Sequence, residues 1–155
     1  MEKSARIEGP YRYELSREWD SSKSRLRFCM LNPSTANALE DDPTIRRCIG
    51  FAKGFGYGGI VVVNLFAWRS TEPLKSWNFN HIGPRNDEFI HDLCFEKNVV
   101  CAWGANAPKD RVDEVMDIFD ESMVTWCLGL TKAGAPRHPL YLPSNSKLVE
   151  FKAGN

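Results

Sequence analysis

Four short stretches of this chain carry amide, imidazole and hydroxyl groups at places where a strand should end. They are Asn32-Pro33-Ser34-Thr35, Asn64, Trp103-Gly104-Ala105-Asn106 and Arg137-His138-Pro139. An asparagine presents a donor and an acceptor side by side, which suits a held water, a substrate carbonyl or the edge of a nucleobase. In the first stretch, Asn32 can orient such a group while neighbouring amides and hydroxyls, Ser34 among them, receive an anion. The same four residues also make an ordinary strand-ending turn. Asn64 follows the β-branched run Ile60-Val-Val-Val, so its amide must be satisfied either by backbone or by ligand. His138 sits between arginine and proline in a loop, where a ring N–H can meet charge developing on a leaving group. Asp42 reads as a helix cap ahead of Pro43, which leaves Asp41 freer to act as a base or to bind a cation. Phe51, Phe55, Phe66 and Trp68 read as core side chains, or as platforms on which a base can stack.

Other chemistries lack their markers. There is no H-E-x-x-H, no P-loop and no G-x-G-x-x-G. The five cysteines, at 29, 48, 94, 101 and 127, include no C-x-x-C pair and mostly lie in apolar surroundings. Buried reduced thiols are expected, with no metal and no cofactor. Twenty basic residues balance twenty acidic ones, so bulk charge is not expected to hold long nucleic acid, while a local basic patch stays open. No apolar run approaches the ~20 residues of a membrane helix, and the first residues lack the apolar stretch of a signal peptide. A cytoplasmic protein with no membrane contact and no obligatory protein partner is expected.

The elements that must position these groups follow from periodicity. With 43% hydrophobic residues over 155 positions, one domain spanning 1–155 can bury a single core. Tyr11–Leu15 alternates as an edge strand, and Arg25–Leu31, Ile60–Val63, Val99–Trp103 and Val124–Leu128 read as buried strands. Helices are expected from Pro43 to about Phe55, from Asn86 to about Lys97, from Asp110 to Ser122, and briefly after Pro143. Strand alternating with helix implies an α/β fold, a three-layer α/β/α domain with a mainly parallel central sheet of about four strands. In such a sheet ligands bind beyond the carboxyl ends of the strands, which is where the four stretches fall.

The ordered motifs Met30-Leu-Asn-Pro-Ser-Thr-Ala, Asp41-Asp-Pro-Thr-Ile-Arg-Arg-Cys, Val63-Asn-Leu-Phe-Ala-Trp-Arg and Arg137-His-Pro-Leu-Tyr-Leu resemble domain-of-unknown-function family 1643 of bacteria and phages. More distantly they are similar to the uracil-DNA glycosylase superfamily. Leu31-Asn32-Pro33 resembles its water-positioning loop, Val61-Val-Val-Asn64 its base-reading strand end, and Trp103-Gly104-Ala105-Asn106 its Trp-Gly element. Arg137-His138-Pro139-Leu140 resembles its final His-Pro loop. Met30 stands where glycine is usual there, and Leu140 where serine is usual.

This resemblance implies a glycosylase-like fold and a nucleobase-recognising protein that hydrolyses an N-glycosidic bond in DNA or a nucleotide. Asn32 would position water, His138 would support the departing base, and Asp41 would substitute for the carboxylate that position 32 lacks. Asn64 would read the base, with Pro33, Ser34, Phe51, Trp103 and Arg137 around it. The partner would be a nucleobase, a nucleotide or DNA, in a bacterial or phage-infected cell. Two alternatives stay open: a non-catalytic module for a modified base or nucleotide, and a phage nucleotide-modification enzyme.

Overall fold

The computed structural model describes residues 1–72 and 74–153. Its elements in chain order are strands β1 (Glu2–Glu8), β2 (Tyr11–Glu18) and β3 (Arg25–Met30), helix α1 (Pro43–Gly54), strand β4 (Gly59–Asn64), helices α2 (Phe79–Ile82) and α3 (Asn86–Cys94), strand β5 (Val99–Cys101), helix α4 (Lys109–Phe119) and strand β6 (Thr125–Cys127). A single 3-10 turn at Pro139–Tyr141 and strand β7 (Val149–Phe151) complete the chain.

The strands form one seven-stranded sheet in the order β1-β2-β4-β3-β5-β6-β7. The expected three-layer domain, built on about four mainly parallel strands and resembling a glycosylase, is therefore corrected to a seven-stranded mixed sheet. The inner strands β4, β3, β5 and β6 run parallel to one another, but both flanks are antiparallel: β2 on β4, β1 on β2, and β7 on β6. Two causes explain the difference. β1 is mostly polar and its side chains are exposed or half-buried, so apolar periodicity does not detect it. It pairs with β2 through the backbone ladder, across a tight turn in which Gly9 takes φ 59°. At the other end, three residues suffice for β7 to pair with β6, where a short helix was expected after Pro143. Tyr11–Leu15 is consequently an inner segment, covered by β1, and not an edge.

Side chains of the inner strands alternate between two apolar clusters, as the period of 2 requires. Leu26, Phe28 and Met30 of β3 join Ile60 and Val62 of β4 in one cluster, which α1 covers with Ile45, Cys48, Phe51 and Ala52. Cys29, Val63, Val99 and Cys101 enter the other, covered by Ile90 and Cys94 of α3 and by Val112, Val115 and Phe119 of α4. The start of α1 is fixed by Asp42, which accepts from the Ile45 backbone N–H at 2.9 Å, with Pro43 following.

Candidate functional site

Because four neighbouring strands are parallel, the loops leaving their carboxyl ends rise on the same rim. Between those loops lies a cavity of about 740 Å³, within the range of small-molecule sites. Asn32, Pro33, Ser34, Trp103, Arg137 and His138 all line it, although they come from three separate loops.

Asn32 is held as the chain leaves β3. Its Nδ2 donates to the Pro33 carbonyl at 3.1 Å and reaches the Trp68 and Ser70 carbonyls at 3.5 Å. With the amide nitrogen committed, Oδ1 is the atom open to a ligand or a water. The loop beyond it is anchored by two arginines of β2. Arg17, fully buried, donates from Nε to Asp41 at 2.7 Å and from Nη2 to the Asn37 carbonyl at 2.6 Å. Arg12 donates from Nη1 to the Ala36 carbonyl at 3.0 Å.

His138 is placed by the segment after β6. An isolated bridge joins Leu130 and Pro136, and the Arg137 N–H donates to the Gly129 carbonyl at 2.9 Å. Arg47 of α1 then ties the following turn down, donating to the carbonyls of Leu142 and Pro139. The Leu140 N–H donates to His138 Nδ1 at 3.2 Å, so the neutral ring carries its proton on Nε2. Burial lowers the His138 pKa from its ordinary value, and the charge of Asp42 acts the other way. The result is a neutral ring that can donate from Nε2 without giving up a proton beforehand.

Trp103, 3% exposed, packs edge-on against Phe151 and forms one wall. The chain passes close to His138 immediately afterwards: a Cβ on Gly104, which has φ 82°, would lie 3.8 Å from the His138 Cβ. Trp77, stacked on Phe66 with ring centroids 4.3 Å apart, lines the cavity from the loop after β4.

Three expected residues lie elsewhere. Asn64 is 1% exposed and does not line the cavity, and neither its Oδ1 nor its Nδ2 has a hydrogen-bond partner among the described residues. Its surroundings are a buried polar knot in which Asn86 Nδ2 donates to the Asn64 carbonyl at 2.9 Å and Arg111 Nε to the Leu65 carbonyl at 2.8 Å. Phe51 belongs to the α1-side core, where it stacks on Phe55 and carries the Arg47 guanidinium over its ring. Asp41 is spent on Arg17 and stands 3.6 Å from the Lys3 ammonium, which leaves it badly placed as a base.

Sequence reading missed Arg12, which is 2% exposed yet lines the cavity. Alternation along Tyr11–Leu15 puts Arg12 and Glu14 on an outer face. The register shifts there, pairing Arg6 with Glu14 and Ile7 with Arg12, so Tyr13 is skipped and the alternation breaks. No local sequence signal marks such a bulge. Among the described residues no three His, Cys, Asp or Glu side chains are grouped to hold a metal ion. No helix among them is long and apolar enough to cross a membrane. The five cysteines are free and buried.

A family model described as "Protein of unknown function (DUF1643)" matches residues 12–140. That span includes Arg12, Asn32, Trp103 and His138. No curated protein and no solved structure matches the chain.

Proposed function

The chain belongs to the DUF1643 family, and we propose that it recognises a nucleobase-bearing ligand in this cavity and hydrolyses its N-glycosidic bond. The observation that carries this reading is the pairing of Asn32, with an open Oδ1, and His138, protonated on Nε2, on the lining of one cavity. Hydrolysis of this bond sends its electron pair to the base while the oxygen of a water bonds to the sugar carbon, and the proton that the water sheds passes through solvent to the departing base. Asn32 Oδ1 accepts from that water and orients it. His138 Nε2–H stabilises the negative charge that gathers on the base, and that charge exists only in the transition state and after it. Trp103 and Trp77 give the base flat apolar walls. Asn106, a second amide on the lining, takes the base-reading place that Asn64 does not occupy.

One observation favours the non-catalytic reading. Asp42 is the buried carboxylate of the cavity, but its Oδ1 accepts from the Ile45 N–H and its Oδ2 from the Ala36 N–H. It is thus committed to holding backbone, and an asparagine amide cannot take the water's proton. The test is incubation with nucleosides, nucleotides and short DNAs, followed by chromatography for released base. Release is expected, slowed about 10²–10³-fold in His138→Ala with smaller effect on affinity. Binding with no base released from any candidate would replace the hydrolase reading with that of a binding module.

A further inference from the structure

Resting on that nucleobase reading, we propose that the cavity contains an anion subsite built on Arg12, and that the ligand is a phosphorylated nucleoside, a mononucleotide. Arg12 is a charged side chain 2% exposed on the lining of the cavity. One of its donors is spent on the Ala36 carbonyl, but Nε has no hydrogen-bond partner. Among the described residues no carboxylate lies within ion-pair distance of it: Asp41 is taken by Arg17, and Asp42 holds the N–H groups of Ile45 and Ala36.

Burying an unpaired guanidinium is costly, and the cost is recovered when an anion fills the fork. Burial lowers the Arg12 pKa to about 10, with Asp42 opposing the shift, so the group remains a cation at neutral pH. Phosphate oxygens match its geometry and form the stronger, charge-assisted hydrogen bonds.

The surrounding groups agree with this assignment. Ser34 lines the same cavity and can donate its hydroxyl to an anion, and the exposed cations Lys75 and Arg137 stand on the rim. Glu72 and Asp42 are the acidic residues of the lining, against Arg12, Lys75 and Arg137. Arg69, whose Nε is also buried without a partner, adds positive potential beside Arg12. A volume of about 740 Å³ accommodates a base, a sugar and one phosphate together. Zero net charge over the whole chain fits a small anion held locally better than a long polyanion held by bulk charge.

Calorimetric titration of common nucleosides, their 5′-monophosphates and inorganic phosphate, each at low and high salt, tests the assignment. The monophosphate of the preferred nucleoside should bind at least tenfold tighter than the nucleoside, with an advantage that shrinks as salt rises. Arg12→Gln should abolish that advantage and Arg12→Lys should restore part of it, in variants whose melting is first checked. If Arg12→Gln does not fold, the pair Lys75→Ala and Arg137→Ala should still reduce the advantage several-fold. Equal affinity for nucleoside and monophosphate overturns the anion subsite and leaves the nucleobase reading standing. Phosphate that binds through Arg12 while no nucleoside adds affinity supports the subsite and removes the nucleobase reading. No binding by any of the three classes overturns both.

Discussion

Replacing Asn64 by leucine should stabilise the protein and leave its ligand affinity unchanged. Asn64 is 1% exposed at the end of β4, beside Met30 in parallel register, and neither of its amide atoms has a partner among the described residues. A buried polar group without a hydrogen bond costs about 1–3 kcal/mol, and this side chain contains two. Leucine keeps the branching of asparagine at Cγ while removing both groups. Its larger methyls carry an overpacking cost of about 1–3 kcal/mol in a tight site. The net expectation is a gain of about 1–3 kcal/mol. At roughly 2–4 °C per kcal/mol for a domain of this size, Tm should rise by about 5 °C. The backbone carbonyl of Asn64 keeps its bond from Asn86 Nδ2, so the knot around it survives the change. Differential scanning calorimetry measures the first effect and calorimetric titration with the proposed nucleotide the second. A fall in Tm would show that the amide is satisfied in the folded protein and that the reasoning is wrong. A raised Tm with lost binding would show that Asn64 touches the ligand after all.

Three further outcomes follow from the same geometry. Asp42→Ala removes the cap on Ile45 and the bond from the Ala36 N–H, and should lower stability to urea by about 2 kcal/mol; a loss under about 0.5 kcal/mol would mean that the cap contributes little. His138 has its pKa depressed in the fold by burial, so the unfolded chain protonates first as pH falls. Its contribution is complete above the ordinary value of 6.5 and is lost as pH drops through the lower folded value. His138→Gln should therefore show a shallower decline of Tm between about pH 7.5 and 5, and an unchanged slope would contradict the assignment. Burial raises the thiol pKa values of Cys29, Cys94, Cys101 and Cys127, so a disulfide reagent at about pH 8 should label native protein slowly and all five cysteines in guanidinium. Rapid labelling of any one thiol in the native state would count against its burial.

Local signals in the sequence determined the inner strands and the main helices. Ile60-Val-Val-Val carries the signature of a strand covered on both faces, and Asp42-Pro43 that of a helix start, because β-branching and capping act within a few residues. The lining positions of Asn32, Trp103 and His138 were legible for the same reason: each follows a strand, and parallel neighbours bring their carboxyl ends to one rim. Tertiary structure alone decided the rest. β1 and β7 exist through pairing with β2 and β6, a stabilisation that neither segment's own pattern encodes. Asn64 and His138 both follow predicted strands, yet only His138 reaches the cavity, because a side chain's destination depends on what packs around it. Arg12 is the clearest case. A single skipped residue at Tyr13 breaks the alternation of β2, and one buried guanidinium thereby joins the lining of a cavity formed by loops far away in the chain.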